Sequence, residues 1–144
     1  TAQLPNKATS YIRPKKDGTL RVADSKWEQV GDGAIQTTPI DLVKWADNYR
    51  TGRIGGRKLL RAQLAGAVKF DAGRYGAGIF IRKDGSLHHG GSWAGFLTAF
   101  EVSADRHTAI AVTCNSVDYN FADNVSAAPS ERIPRELQAI WLTK

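Results

Sequence analysis

Cysteine and methionine are almost missing from this chain: Cys114 stands alone and there is no Met among 144 residues. A single thiol excludes an internal disulfide and a cysteine-based zinc site, and leaves the redox compartment open. No apolar run approaches the length that spans a bilayer, and Thr1 to Lys7 carry no apolar segment of signal-peptide type. A chain that starts at Thr1 without any Met is expected to begin at a point of cleavage, processing or design. Internal repeats and low-complexity segments are also missing. The most consequential absences are of catalytic patterns, since nowhere is a Ser followed three places later by Lys, or a Tyr followed two places later by Asn. Ser92 is not a nucleophile elbow either. Its surroundings, Gly90-Gly91-Ser92-Trp93-Ala94-Gly95, miss the Gly-x-Ser-x-Gly spacing, and that elbow leads into a helix where this chain predicts a strand.

What is present fits one soluble globular domain, with 42% hydrophobic and 24% charged residues. The net charge of +6 invites a nucleic-acid reading. However, Arg13, Lys15, Lys16, Arg50, Arg53, Arg57, Lys58 and Arg61 form no aromatic-interleaved motif and no recognition-helix pattern, so a solvated surface explains them and no nucleic-acid partner is expected.

The chain divides into four zones. Residues 1–30 read as an extended arm or hairpin, with a turn at Lys16-Asp17-Gly18. Residues 31–68 form a helical segment. In it Thr38 is the expected N-cap, Pro39 the first helical residue and Asp41 a first-turn acid. Leu42, Trp45, Ala46 and Tyr49 share one face, and Gly52 stops the helix. A second helix carries Leu60, Leu64 and Ala67. Residues 75–116 read as an antiparallel meander: a strand within Tyr75 to Arg82, a hairpin turn at Asp84-Gly85, a return over Ser86 to Gly90, then Phe96 to Val102, a turn at Ala104-Asp105-Arg106, and Thr108 to Cys114. Residues 130–143 form a C-terminal helix capped by Ser130, with Ile133, Leu137, Ile140 and Trp141 as its apolar stripe. The fold class is therefore α+β, an antiparallel sheet of three to four strands packed with helices.

The segment richest in chemistry is Leu87-His88-His89-Gly90-Gly91-Ser92-Trp93-Ala94-Gly95-Phe96. Adjacent strand residues point to opposite faces, so His88 and His89 are not expected to enter one cleft or bind one metal ion. On spacing alone a strand histidine is more often structural than functional, but Gly90 and Gly91 interrupt the strand where a side chain would pack. Such a break admits close approach of a ligand or of another backbone, or marks a bulge. Backbone N–H groups just after Gly91 are candidate donors for a developing oxyanion, with an imidazole beside them. The His89-Gly90-Gly91 run also has the look of an oxyanion loop of α/β-hydrolases, but no elbow follows and no alternating β-α pattern surrounds it.

Three blocks in order, Gly31 to Leu42, His89 to Phe96, and Ala109 to Ser116 ending in Thr113-Cys114-Asn115-Ser116, resemble the C-terminal part of the serine β-lactamase-like family of class C β-lactamases, D-alanyl-D-alanine carboxypeptidases, D-aminopeptidases and esterases. The resemblance runs from about Asn6 to the end. It implies the C-terminal part of the β-lactamase/transpeptidase-like fold. His89, Gly90 and Gly91 match the family's Lys-Thr-Gly or His-x-Gly motif, and the Ser92 backbone N–H matches its second oxyanion donor. His89 and the Ser92 amide are thus the catalytic candidates, and Gly90, Gly91 and Trp93 the substrate-binding ones, with no metal and no cofactor. The family's Ser-x-x-Lys and Tyr-x-Asn motifs lie earlier in its chains. Their absence here implies a fragment, inactive alone, that needs a complementary N-terminal polypeptide or self-association. The implied substrate is a small-molecule or peptide-like amide, ester or β-lactam, and the implied location periplasmic or extracellular. The alternative is a non-catalytic binding module on the same scaffold, for peptidoglycan-like ligands.

Overall fold

Thr38 sets the first helix. Its backbone is extended, its Oγ1 accepts the Asp41 N–H at 3.1 Å, and Pro39 follows in the first turn. Asp41, held by Thr38 and by Lys44 at 2.9 Å, completes the start. The computed structural model describes residues 5–14, 18–23, 31–33, 35–65, 68–118 and 129–141. Helix α1 spans Pro39–Ala46 and a short α2 spans Asn48–Thr51, closed by Gly52 in the left-handed region at φ 64°. Buried Asn48 then pins the loop that follows, since its Oδ1 accepts the Ile54 N–H at 2.7 Å. Helix α3 spans Gly56–Leu64. Ala46, Tyr49 and Leu60 are buried and Leu42 and Leu64 pack against them, but Trp45 is 40% exposed. The buried stripe runs along positions 42, 46 and 49, leaving Trp45 at its rim. Ala67, expected in the second helix, lies outside the described residues.

The main sheet has six antiparallel strands in sequence order: β3 (Val68–Phe70), β4 (Gly73–Tyr75), β5 (Phe80–Arg82), β6 (Leu87–Trp93), β7 (Phe96–Val102) and β8 (Ala109–Cys114). The expected antiparallel sheet packed with helices is there, with more strands than the three to four anticipated. The strand expected within Tyr75 to Arg82 is confined to β5, because a turn precedes it in which the Gly76 N–H bonds the Ile79 carbonyl at 2.8 Å and Gly78 has φ 76°. The end of α3 grips this turn. Gln63 accepts the Ala77 N–H at 3.0 Å and donates to the Ala77 carbonyl at 3.1 Å, and a Cβ on Gly76 would lie 2.2 Å from the Gln63 carbonyl oxygen.

Both hairpin turns fall where expected. At Asp84-Gly85 only Gly85 has positive φ, 88°, while the Asp84 carboxylate takes the Ser86 N–H and hydroxyl at 2.8 and 2.7 Å, which holds its carboxyl below the usual range. At Ala104-Asp105-Arg106 the Ser103 hydroxyl bonds Asp105 at 2.5 Å, and Arg106, at φ 66°, donates to the carbonyls of Ser103 and Gly85. That guanidinium ties the two turns together.

The sheet is covered on both faces. Ile81, Leu87, Phe100 and Val102 join Ala46, Tyr49 and Leu60 in the core on the α1–α3 side. Ala99, Glu101 and Ile110 face the other way, toward α4 (Pro129–Trp141). Helix α4 begins at Pro129, one residue ahead of the Ser130 expected as its cap. Its inward face shares Leu137 with the anticipated stripe but not Ile133 or Ile140. Pro134 is buried and Leu137 and Gln138 are half-buried, whereas Ile133 and Ile140 are 36% and 59% exposed. The cause is polar: Glu101 is 8% exposed, and the Gln138 amide turns inward to hydrogen-bond its Oε2. The side chains of Ser130 and Trp141 are outside those described. Among the described residues, no helix is long and apolar enough to cross a membrane.

The arm becomes a second, three-stranded sheet. Strand β1 (Tyr11–Arg13) pairs antiparallel with β2 (Arg21–Val22) and parallel with β9 (Ser116–Asp118), so the arm is tied to the segment that follows β8. The Lys16-Asp17 part of the turn between β1 and β2 is outside the described residues. Asn115 fastens the arrangement by donating to the Thr9 carbonyl at 2.9 Å.

Glu101 also accepts a bidentate pair of bonds from Arg82, at 2.6 and 2.9 Å. Removing one partner of such a pair strands the other charge without compensation. Arg82→Ala is expected to destabilise the fold by about 3 kcal/mol in urea unfolding, while the joint change of Arg82 and Glu101 to Met costs much less.

Candidate functional site

Strand lengths create the site. β5 pairs with β6 only through Phe80 with His88 and Ile81 with Leu87, whereas β7 runs beside β6 along all seven residues to Trp93 and Phe96. From His89 onward, no strand among the described residues pairs with the β5 side of β6. The β6–β7 hairpin closes through Ala94 and Gly95 at φ 45° and 81°, the two left-handed positions of a type I′ turn. Taking Trp93 and Phe96 as the closing hydrogen-bonded pair, the antiparallel alternation bonds Gly91 to Thr98 and His89 to Phe100. It directs the N–H and C=O of Gly90 and Ser92 to the open side. Gly95 is required twice: a Cβ there would lie 2.8 Å from the Tyr11 carbonyl oxygen, because the hairpin tip sits against β1.

All five candidate residues therefore lie on one strand, beside this open edge. Gly90, Gly91, Ser92 and Trp93 are exposed, and His89 is half-buried. Gly91 has a second function, since a Cβ on it would come within 2.9 Å of the Thr98 Oγ1 across the pair. The missing side chain leaves the Thr98 hydroxyl at the strand surface, on the face to which alternation assigns Trp93.

The His89 ring is held at both nitrogens. Nδ1 lies 2.7 Å from the Gly90 carbonyl oxygen and Nε2 lies 3.0 Å from the Tyr75 hydroxyl. The hydroxyl bonded to His89 is that of Tyr75. The expectation that His88 and His89 part to opposite faces needs correction. The His88 ring stacks on Phe80 at 5.0 Å, and the His89 ring reaches the same Phe80 at 5.5 Å. Because β5 begins at Phe80, no described strand lies beside His89 on that side, and its ring swings round the edge. Tyr75, 4.4 Å from Phe80, and Phe70, 5.7 Å from it, complete an aromatic cluster spanning β3 to β6.

Tyr75 and Thr98 were not singled out from the sequence. Tyr75 and His89 are 14 positions apart, and their meeting depends on how β4, β5 and β6 pair across the sheet. Among the described residues, no three His, Cys, Asp or Glu side chains are grouped to hold a metal ion. What the edge offers chemically is a pair of backbone donors beside an imidazole, a phenol and an exposed indole. No protein-family model matches the chain, and no curated protein matches it significantly.

Burial against Phe80 holds His88 below the usual imidazole range. The Arg82 charge acts in the same direction and the Glu101 charge opposes it. A base whose proton affinity is lowered by folding takes its proton more readily when unfolded. His88 is therefore neutral in stability terms at alkaline pH and destabilises the fold as pH falls through the unfolded imidazole value of about 6.5. Unfolding midpoints are expected to drop between pH 7.5 and 5.5, and His88→Phe, which keeps a ring against Phe80, is expected to flatten that drop. An unchanged slope would assign the effect to another group.

Proposed function

We propose that this chain supplies the oxyanion side of a serine acyl hydrolase of β-lactamase-like type, acting on an amide, ester or β-lactam carbonyl. The observation that carries this reading is the stretch of β6 after His88 that no described strand pairs on the β5 side, where the Ser92 N–H faces outward with the His89 imidazole alongside. A carbonyl that becomes tetrahedral gathers charge on its oxygen, and a fixed backbone N–H on a rigid strand stabilises that charge without having to reorient. Gly90 and Gly91 keep the approach free of side chains, and Trp93 offers an apolar surface to the rest of the substrate.

The attacking hydroxyl and its base come from a complementary polypeptide with a Ser-x-x-Lys pattern, which this chain lacks. The outer strand β3, with Val68 and Phe70 59% and 40% exposed, is a surface such a partner would cover. In this reading the protein works in the periplasm or outside the cell, on peptide-like substrates. A second reading, a binding module without chemistry, draws on the fact that both His89 nitrogens are already engaged within the chain.

The two are separated by joining the chain to a nucleophile-bearing segment and following a chromogenic β-lactam and a nitrophenyl ester. A burst is expected from the joined protein and none from the chain alone. Ser92→Ala, which removes only the hydroxyl, is expected to leave the rate nearly intact. Ser92→Pro, which removes the N–H on the β5 side of the strand, is expected to lower kcat by about 100-fold. Turnover by the isolated chain, or loss of turnover in Ser92→Ala, would overturn the proposal. Ligand binding without any acyl-enzyme would favour the binding module.

A further inference from the structure

The hydrogen bonds around His89 fix more than its place. A backbone carbonyl only accepts, so at 2.7 Å from the Gly90 oxygen it is Nδ1 that carries the proton. In the neutral imidazole Nε2 is then an acceptor, and the group 3.0 Å away, the Tyr75 hydroxyl, is able to donate to it. A chain of two hydrogen bonds thus runs from β4 to the edge of β6, passing the point where β5 stops. Tyr75 is itself braced, because its ring packs 4.4 Å from Phe80, which stands edge-on to Phe70 and stacked on His88.

We propose that Tyr75 is a positioning residue for this edge: its hydroxyl holds His89 in the Nδ1–H tautomer, and His89 in turn occupies the Gly90 carbonyl. An unoccupied Gly90 carbonyl would present a negative dipole end two residues from the Ser92 N–H, on the same open side of β6. With His89 bonded to it, the edge presents chiefly donors, which suits a developing oxyanion better than an incoming amide N–H. The consequence for catalysis rests on the acyl-transfer reading above, but the hydrogen-bonded chain itself does not.

The chain alone tests the positioning. In nitrogen-15 spectra at pH 8, His89 is expected to show a protonated Nδ1 and a bare, hydrogen-bonded Nε2. In Tyr75→Phe, which keeps the ring against Phe80, Nε2 is expected to lose its hydrogen-bonded shift and the Nδ1 proton to exchange faster with water. A matching far-UV spectrum and unfolding midpoint serve as the check on folding. A wild-type ring protonated at Nε2, or His89 nitrogens unmoved by Tyr75→Phe, would overturn the proposal.

In the protein joined to its nucleophile-bearing segment, Tyr75→Phe is expected to lower kcat/KM roughly tenfold, the equivalent of one neutral hydrogen bond. The pair Tyr75→Phe with His89→Ala is expected to be no worse than His89→Ala alone. Additive losses would mean that Tyr75 acts without His89, against the proposal. If no joined form hydrolyses anything, the acyl-transfer reading falls while the spectra still decide the Tyr75–His89 relation.

Discussion

The inequality of β5 and β7 is the constraint from which the rest follows. A central strand normally spends its N–H and C=O groups on two neighbours, but β6 has a full-length neighbour only in β7. Beyond His88 no strand among the described residues pairs on the β5 side, and the backbone of Gly90 and Ser92 is presented there on a rigid support. The shortness of β5 has its own cause. Gly76 and Gly78 fold the preceding residues into a turn, and the end of α3 binds that turn through both backbone groups of Ala77. A contact on one side of the sheet thereby sets the chemistry available on its edge.

Polar groups inside the fold decide orientation more than they add stability. Glu101 is buried and satisfied from two directions, by the Arg82 guanidinium and the Gln138 amide. An unsatisfied carboxylate there would be costly, so α4 settles with Gln138 inward even though Ile133 and Ile140 are left toward solvent. Asn48 acts in the same way on the loop before α3, and Arg106 on the two turns at the far end of the meander. Each of these side chains chooses one arrangement among several that hydrophobic burial alone would tolerate.

Much of the local structure was legible. The Thr38 cap, Pro39, the stop at Gly52 and both meander turns depend on bonds between residues a few positions apart, and those residues advertise themselves by type. The turn ahead of β5 was also written in its glycines, but an apolar Ile79-Phe80-Ile81 run reads as strand whether or not a turn precedes it. The face of α4 was partly misjudged because helical periodicity ranks residues by apolarity and gives no weight to a glutamine with a buried carboxylate to reach.

At the edge of β6, where the strand runs through Gly90 and Gly91 without the expected interruption, the sequence by itself determined the paired glycines and the imidazole next to them, since these are properties of neighbouring residues. It equally determined that no Ser-x-x-Lys pair is present. Only the tertiary structure decided which side of β6 is open, that His89 swings round to share Phe80 with His88, and that Tyr75 holds its second nitrogen. The reason is physical: a strand's side-chain alternation is fixed by the chain, but the length of its neighbour, and so the freedom of its edge, is fixed by segments distant in sequence that meet only when the sheet assembles.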